Sequence, residues 1–199
     1  LRFCSLTTFR AVFSATEPSE NLTNSQGIMV VTERMLDVQD SDILIVSGGM
    51  GTRTLVTDDW FLSGLGDLAS KTKWVLSVAQ ALLFCGGGIL DGRHATTNKN
   101  AFDWVRNQGT SILWEREPRW VRDGNIYTAA GVSAGTDMAV GFVADQFGKE
   151  KAEEICKQIE YHWYDNAAHD RSEKQIRNKK EVVEMCDHFY NLFLLFLYC

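Results

Sequence analysis

The sequence is poor in the residues that build metal sites and disulfide frameworks. It has only four histidines, and none of them lies in an HxxxH or HExxH pattern. Its five cysteines are scattered, odd in number and include no CxxC pair. This pattern suits a reducing compartment and indicates neither a disulfide framework nor a zinc site. We therefore expect a cytoplasmic protein that holds no metal and no cofactor.

The sequence also lacks an excess of basic residues and a long apolar run. Its net charge is -6 and its pI is near 5.2, so we expect no general attraction to nucleic acid or to an anionic membrane. The most apolar run, 189–199 (FYNLFLLFLYC), is interrupted by Asn191 and is shorter than the roughly 20 residues that span a bilayer. The amino end shows no basic region followed by an apolar core, which argues against a secretory signal. We expect no membrane span.

Strand-like and helix-like segments alternate along most of the chain. Strands are predicted over 9–15, 27–32, 41–46, 74–78, 95–97, 111–114 and 120–128, the last with a turn at Asp123-Gly124. Helices are predicted over 58–70, 79–84, 101–108, 136–147 and 149–161, and 17–25 is predicted to be a polar loop. This alternation, with most strands apolar, predicts an α/β fold. We expect a flavodoxin-like, doubly wound, mainly parallel sheet with helices on both faces.

The composition changes after Asp170. Residues 171–180 (RSEKQIRNKK) are rich in charge, and residues 189–199 are almost wholly apolar. We predict one domain over 1–170 and a helical carboxyl-terminal tail over 171–199. Because large exposed apolar patches need cover, we expect the tail to pack on its own domain or on a partner subunit, with membrane association as the alternative.

The stretch 73–88 (KWVLSVAQALLFCGGG) carries the strongest functional signal. A β-favouring run, Trp74 to Val78, passes without a spacer into a helix-forming run, Ala79 to Phe84. Such an abrupt strand-to-helix turn lifts its first helical residue to the carboxyl edge of a sheet. In α/β hydrolases this geometry holds a nucleophile beside backbone N–H donors. Here the residue at that place is Ala79, which has no nucleophilic atom.

Four segments in this order resemble the PfpI/ThiJ family, in the branch of the isocyanide hydratases and their fungal and bacterial relatives. They are SGGMGTR (47–53), WVLSVAQALLFCGGGILDGRHATTNK (74–99), RWVRDGNIYTAAGVSAGTDMA (119–139) and QIEYHW (158–163). The resemblance covers about 9–170 and implies the class I glutamine-amidotransferase-like fold. It also implies a homodimer. The family chemistry that it implies is the hydration of an isocyanide to an N-formamide, with a cysteine as the nucleophile.

The resemblance assigns functional positions. Enzymes of this branch have Ser-Val-Cys-Thr-Gly at the turn, with the Cys as nucleophile; this chain has SVAQA at 77–81, so Ala79 takes the place of the cysteine. The family's SGG loop matches 47–49, and the backbone N–H groups that follow help to form an anion-binding niche. We expect a small polar or anionic ligand there. The residues assigned to this niche are Gly48, Gly49, Met50, Gln80 and Asp137.

Asp137 admits two roles. It lies in the segment 131–139, which matches the family's GxSAGxDxA wall beside the turn. As an acidic residue at the start of the helix predicted from Thr136, it would stabilise the helix N-terminus. The alternative is a catalytic role, in which Asp137 or Glu160 activates a water. For Glu160-Tyr161, at the end of the helix predicted over 149–161, we expect a structural hydrogen-bonding role, although the matching pair lies near the site entrance in the family.

The sequence departs from the family pattern in two places. Ala79, Gln80 and Ala81 replace three family residues together, which favours natural divergence over an engineered Cys-to-Ala substitution. Family members also open with a strand and a turn bearing an acidic residue, which nothing before Phe9 resembles, so we expect the usual first strand to be lacking. We therefore predict a catalytically inactive binding or interaction module. The alternatives are an active hydratase-like enzyme seen as a Cys-to-Ala variant and a ligand-sensing domain.

Overall fold

The computed structural model describes residues 14–15, 19–23, 29–38, 41–49, 51–79, 86 and 88–172. The strands are β1 Ser14–Ala15, β2 Ser19–Thr23, β3 Met29–Arg34, β4 Ile43–Val46, β5 Trp74–Val78, β6 His94–Ala95, β7 Leu113–Trp114, β8 Trp120–Asp123 and β9 Ile126–Ala129. The helices are α1 Thr52–Leu55, α2 Asp59–Lys71, α3 Phe102–Gln108, α4 Val132–Phe147 and α5 Lys149–Gln158, with a 3-10 turn at Met35–Asp37.

Among the described residues, the central sheet has four strands in the order β4-β5-β9-β8. Strands β4, β5 and β9 are parallel, and β8 pairs antiparallel with β9. Val46 lies beside Ser77, and Ser77 lies beside Thr128, so the carboxyl ends of the three parallel strands meet at one edge of the sheet. This is the edge at which open α/β sheets bind their ligands.

Alternate residues of β5 pack against different helices. Val75 lies in a core cluster with Leu62 and Leu65 of α2. Leu76 lies in a second cluster with Met138 of α4. The central strand is therefore buried on both faces, as its nearly continuous apolar sequence predicts, and the predicted α/β fold with helices on both faces of a mainly parallel sheet is confirmed.

Two predictions based on local signals are confirmed in detail. The Asp58 carboxylate accepts a hydrogen bond of 3.0 Å from the Phe61 N–H, which caps α2 at the predicted start. The hairpin predicted at Asp123-Gly124 forms between β8 and β9, with Asp123 opposite Ile126. Gly124 has φ 61°, a left-handed conformation that glycine adopts without a steric penalty.

Several predicted boundaries are wrong, and tertiary contacts explain the largest errors. The segment 17–25 is not all loop, because β2 (Ser19–Thr23) pairs antiparallel with β3 in a separate sheet of order β1-β3-β2. Helix α4 begins at Val132 rather than Thr136, since its first turns pack against β5. Ala79 does not begin a helix: its φ is 65°, outside the helical region. The short helix α1 was not predicted, and α5 ends at Gln158 rather than at residue 161.

Some predictions lie outside the described residues. They include residues 9–13 of the strand predicted over 9–15, most of the helix predicted over 79–84, and the tail from residue 173 onwards. The division into a domain over 1–170 and a tail over 171–199 stays a prediction. Within the described part of the chain, none of the helices combines the length and the apolar character needed to cross a membrane.

Candidate ligand site at the carboxyl edge of the central sheet

The candidate site lies where β4 and β5 end. Gly48 and Gly49 follow β4, and Ala79 follows β5. Because Val46 pairs with Ser77 in parallel register, these residues leave the sheet at the same edge. Gly48 is buried and Gly49 is half-buried. The structure therefore brings Gly48, Gly49 and Ala79 to one edge of the sheet, while Met50 and Gln80 lie outside the described residues.

Ala79 adopts a strained backbone conformation. Its φ of 65° lies in the left-handed region, which costs an L-residue other than glycine about 1 to 2 kcal/mol. Its side chain is 0% exposed. Such conformations persist only where surrounding contacts over-determine them, and they cluster at functional sites. We call Ser77, Val78 and Ala79 the elbow.

Three hydrogen bonds hold Ala79 in this conformation. The Ala79 N–H donates to the carbonyl oxygen of Ala129, at the end of β9, over 3.0 Å. The Ala79 carbonyl oxygen accepts from the Thr97 hydroxyl at 2.9 Å and from the Asn98 N–H at 3.1 Å. Both backbone polar groups of Ala79 are therefore bound by neighbouring segments, and the loop that follows β6 supplies two of the three contacts.

The first turns of α4 lie very close to the elbow. A Cβ atom placed on Gly135 would come within 2.6 Å of Cγ1 and 3.0 Å of Cγ2 of Val78. Val78 is buried, so it has little room to move away. Gly135 therefore permits a close approach between the helix and the strand, which gives a packing reason for this glycine in the segment GVSAG.

The elbow contains one polar side chain without a partner. The Ser77 hydroxyl is buried and makes no hydrogen bond with any residue that the structure describes. Burying a hydroxyl without a hydrogen bond costs about 1 to 3 kcal/mol. An unsatisfied group of this kind needs an explanation, and it lies two residues before Ala79.

Asp137 does not stabilise the N-terminus of α4. The helix begins at Val132, so Asp137 lies in its second turn rather than at its start, and this correction follows from the earlier boundary. Its carboxylate is buried and accepts from Arg119 Nε at 2.7 Å, from the Tyr161 hydroxyl at 2.9 Å and from the Tyr164 N–H at 3.0 Å. Both carboxylate oxygens are therefore occupied, and the assignment of Asp137 to the niche stays a prediction.

Arg119 joins Asp137 to a second buried carboxylate. Its Nη2 lies 2.6 Å from Asp137 Oδ2, and its Nη1 donates to Asp170 Oδ1 at 3.0 Å. All three side chains are at most 9% exposed. We call Arg119, Asp137 and Asp170 the ionic cluster. Sequence analysis assigned no role to Arg119 or Asp170, which are 51 positions apart and carry no pattern that would link them.

Two aromatic residues beside the ionic cluster hydrogen-bond to Asp137 and help to hold it in place. The Trp163 Nε1–H donates to the Asp137 carbonyl oxygen at 3.0 Å. Burial, followed by the hydrogen bond to Asp137, raises the pKa of Tyr161 well above its usual value. Tyr161 therefore stays a neutral donor at physiological pH, in line with its expected hydrogen-bonding role.

The described residues hold no group of three or more His, Cys, Asp or Glu side chains that could bind a metal ion. A cavity of about 700 Å³ lies between α2 and the amino ends of β5 and β9, where Val75 and Ile126 line it. Ala79 is at the other end of β5. The cavity is thus separate from the elbow.

The fold and the elbow define a class of protein: an α/β domain whose central parallel strand ends in a strained turn built to present one residue. A family model described as "DJ-1/PfpI family" matches residues 7–145. The chain belongs to the DJ-1/PfpI family.

Known relatives agree with this assignment. The chain is similar to the isonitrile hydratase of Pseudomonas putida, with 31% identity over 142 residues that cover 70% of this chain and 61% of the relative. It thus spans less than two thirds of that relative's length. Among solved structures, it is similar to a THiJ/PfpI family protein from Pseudomonas syringae, with a TM-score of 0.68, 25% identity, and 90% of this chain and 76% of the other covered.

A more distant neighbour shows the fold alone. The structure of Drosophila melanogaster DJ-1beta matches with a TM-score of 0.61 and 18% identity, covering 73% of this chain and 80% of the other.

Proposed function

We propose that this chain binds a small polar or anionic ligand at the elbow without Cys-dependent chemistry, as a catalytically inactive relative of the isonitrile hydratases. One observation carries the proposal: Ala79 occupies the strained, buried position after β5. The resemblance places the family's nucleophile there. A nucleophilic thiolate requires a sulfur atom, and Ala79 offers a methyl group.

The surroundings of Ala79 support a binding role. Gly48 and Gly49 follow the neighbouring strand β4 at the same sheet edge, and glycines allow a ligand to approach the backbone closely. The Ser77 hydroxyl has no hydrogen-bond partner among the described residues. A ligand that hydrogen-bonds this hydroxyl or the glycine N–H groups would bind at a preorganised and largely buried site.

A paired turnover assay tests the loss of chemistry. The unmodified protein and an Ala79→Cys variant are assayed with small isocyanides, which a hydratase converts by adding one water across the isocyanide carbon to give an N-formamide, and with α-ketoaldehydes. We expect no turnover by the unmodified protein, and turnover by the variant would mean that the scaffold is intact. Turnover by the unmodified protein would overturn the proposal.

Ligand binding is tested separately with acetate and phosphate. Amide resonances of Gly48, Gly49 and Ala79 are followed by NMR during titration. We expect saturable shifts confined to these residues, and a weaker affinity in a Ser77→Ala variant, which lacks the unpartnered hydroxyl. Shifts spread over the surface, or none at the elbow, would count against a ligand site.

We further propose that the protein is a cytoplasmic homodimer that covers the outer edge of β4. Within the described chain β4 pairs only with β5, and Ile45 on it is 36% exposed. Apolar parallel strands are normally covered on both faces, and an open edge invites pairing. The scattered, odd set of cysteines supports the reducing compartment.

Light scattering coupled to gel filtration tests the dimer. An Ile45→Lys substitution places a charge on the strand edge and is expected to shift the mass from dimer to monomer. The control is Trp60→Lys, which changes another exposed apolar residue, 48% exposed on α2, and is expected to leave the dimer intact. A dimer that survives Ile45→Lys would place the interface elsewhere.

A further inference from the structure

Lys99 is a buried cation on the loop that holds the elbow. It is 6% exposed, although lysine is among the residues least often buried. Its Nζ donates to the Thr96 hydroxyl at 3.2 Å, to the Pro118 carbonyl oxygen at 2.7 Å and to the Arg116 carbonyl oxygen. An ammonium group has three N–H donors, so it can bond several acceptors on different segments at once.

The contacts of Lys99 connect two loops. Thr96 precedes β7 on the segment that follows β6, whereas Arg116 and Pro118 belong to the segment between β7 and β8. Lys99 thus clamps the loop 96–99 against the segment 116–118. The Thr96 N–H also donates to the Thr128 hydroxyl of β9 at 2.9 Å, which ties the same loop to the central sheet.

The clamped loop is the one that bonds the elbow. Thr97 and Asn98 both donate to the Ala79 carbonyl oxygen, and they lie between the two residues, Thr96 and Lys99, that the clamp joins. A left-handed alanine persists only while its neighbours over-determine it. If the loop relaxes, Ala79 keeps one of its three hydrogen bonds.

We propose that Lys99 is the positioning residue for the ligand site: it keeps the loop 96–99 in place, and the loop keeps the elbow in its strained conformation. This inference rests on the proposed function only in that the ligand site is placed at the elbow. Lys99 acts indirectly, because the side chain and the backbone that donate to the Ala79 carbonyl oxygen belong to Thr97 and Asn98.

Amide hydrogen exchange of the unliganded protein, read residue by residue by NMR, tests the proposal. In a Lys99→Met variant, which keeps an unbranched side chain one atom shorter and removes the donors, we expect exchange of the Asn98 and Ala79 amides to rise about tenfold or more, while the β5 amides stay protected. Lys99→Arg, which keeps a charged donor, should restore part of the protection. Lys149→Met, which removes a lysine that pairs with Asp165 on the surface, is the control and should change neither amide.

The outcome is decided by the pattern of exchange. An equal rise at every amide would show general destabilisation and overturn the proposal, as would unchanged exchange at Asn98. If Lys99→Met does not fold, Lys99→Gln, which is uncharged and retains the two N–H donors of an amide, is measured with the same readout. Because no ligand is present, failure here leaves the acetate titration unaffected, and a negative titration leaves the exchange result standing.

A second variant tests the order of the connections. Thr97→Val removes only the hydroxyl that donates to Ala79 and should raise exchange of the Ala79 amide. Combined with Lys99→Met it should add little, because both changes break the same chain of contacts. Effects that multiply independently would show that Lys99 does not act through this loop.

Discussion

The elbow and the ionic cluster flank the end of β9, yet different forces hold them. Ala129 accepts a hydrogen bond from Ala79, and the next residue, Ala130, donates to the Arg119 carbonyl oxygen at 2.9 Å. At the elbow, backbone hydrogen bonds and the contact between Val78 and Gly135 keep one small residue strained. In the ionic cluster, two carboxylates and a guanidinium are bound to each other.

This difference bears on the ligand site proposed at the elbow. The elbow has strain, and its Ser77 hydroxyl has no partner among the described residues, so it has an interaction left to offer a ligand. The ionic cluster has charge, but both Asp137 oxygens and Asp170 Oδ1 already accept hydrogen bonds from neighbouring residues. The acidic residue that sequence analysis placed in the niche belongs by its contacts to the cluster.

The largest effect is expected from breaking the ionic cluster. Arg119→Met leaves Asp137 and Asp170 buried without their cation, and removing one partner of a buried pair costs about 3 to 5 kcal/mol. Urea denaturation measures this loss of unfolding free energy. Adding Asp137→Asn to the variant should restore part of it, because one uncompensated charge is then removed.

The control for this variant is the exposed pair Lys149–Asp165. Water screens charges on the surface, so Lys149→Met is expected to leave stability almost unchanged. A similar loss in both variants would mean that burial does not distinguish the cluster from an ordinary surface pair.

A smaller effect is expected from crowding the elbow. Gly135→Ala places a methyl group against Val78, and overpacking of this kind costs about 1 to 3 kcal/mol. The matched control is Gly66→Ala in the interior of α2, where no atom lies within 4 Å of the added Cβ. Helix propensity predicts that this change stabilises the protein by about 0.5 to 1 kcal/mol.

Thermal or urea unfolding of both glycine variants decides whether close packing matters. A Gly135→Ala/Val78→Ala double variant should recover part of the loss, since it provides space for the methyl group. Equal responses from Gly135→Ala and Gly66→Ala would contradict a close contact between α4 and the elbow.

The smallest effect concerns the hydroxyl that joins Tyr161 to the ionic cluster. Tyr161→Phe removes a hydrogen bond to a carboxylate, and we expect a loss of about 1 to 2 kcal/mol at pH 7. Because the pKa of Tyr161 is raised in the folded protein, its neutral form is favoured there. Its contribution is full below the usual tyrosine pKa of about 10 and declines as the pH rises above it, where the unfolded chain ionises first.

Unfolding free energy measured from pH 8 to 11 checks the sign. The unmodified protein should lose stability above about pH 10, and Tyr161→Phe should lose less over the same interval. Tyr127, whose pKa burial also raises, contributes in the same direction, so Tyr127→Phe should flatten the decline as well. An unchanged slope in Tyr161→Phe would contradict the assigned hydrogen bond.

Local signals predicted the parts of the fold that depend on neighbours in sequence. Strand β5 has the predicted bounds, Trp74–Val78, because a short, nearly continuous apolar run is the pattern expected of a parallel strand buried on both faces. Asp58 marks the start of α2, and Gly124 the turn between β8 and β9. Segment 17–25 was mistaken for a loop because its strand character comes from pairing with β3 rather than from its own residues.

For the candidate site, residue identity and order are enough to predict which residue stands at the turn and that this residue lacks a nucleophilic atom. The left-handed conformation of Ala79, the clamp at Lys99 and the pairing of Arg119 with Asp137 and Asp170 emerge only in the folded chain. These depend on contacts between segments distant in the chain. Such contacts form when the sheet brings the segments together, and no local pattern of residues encodes them.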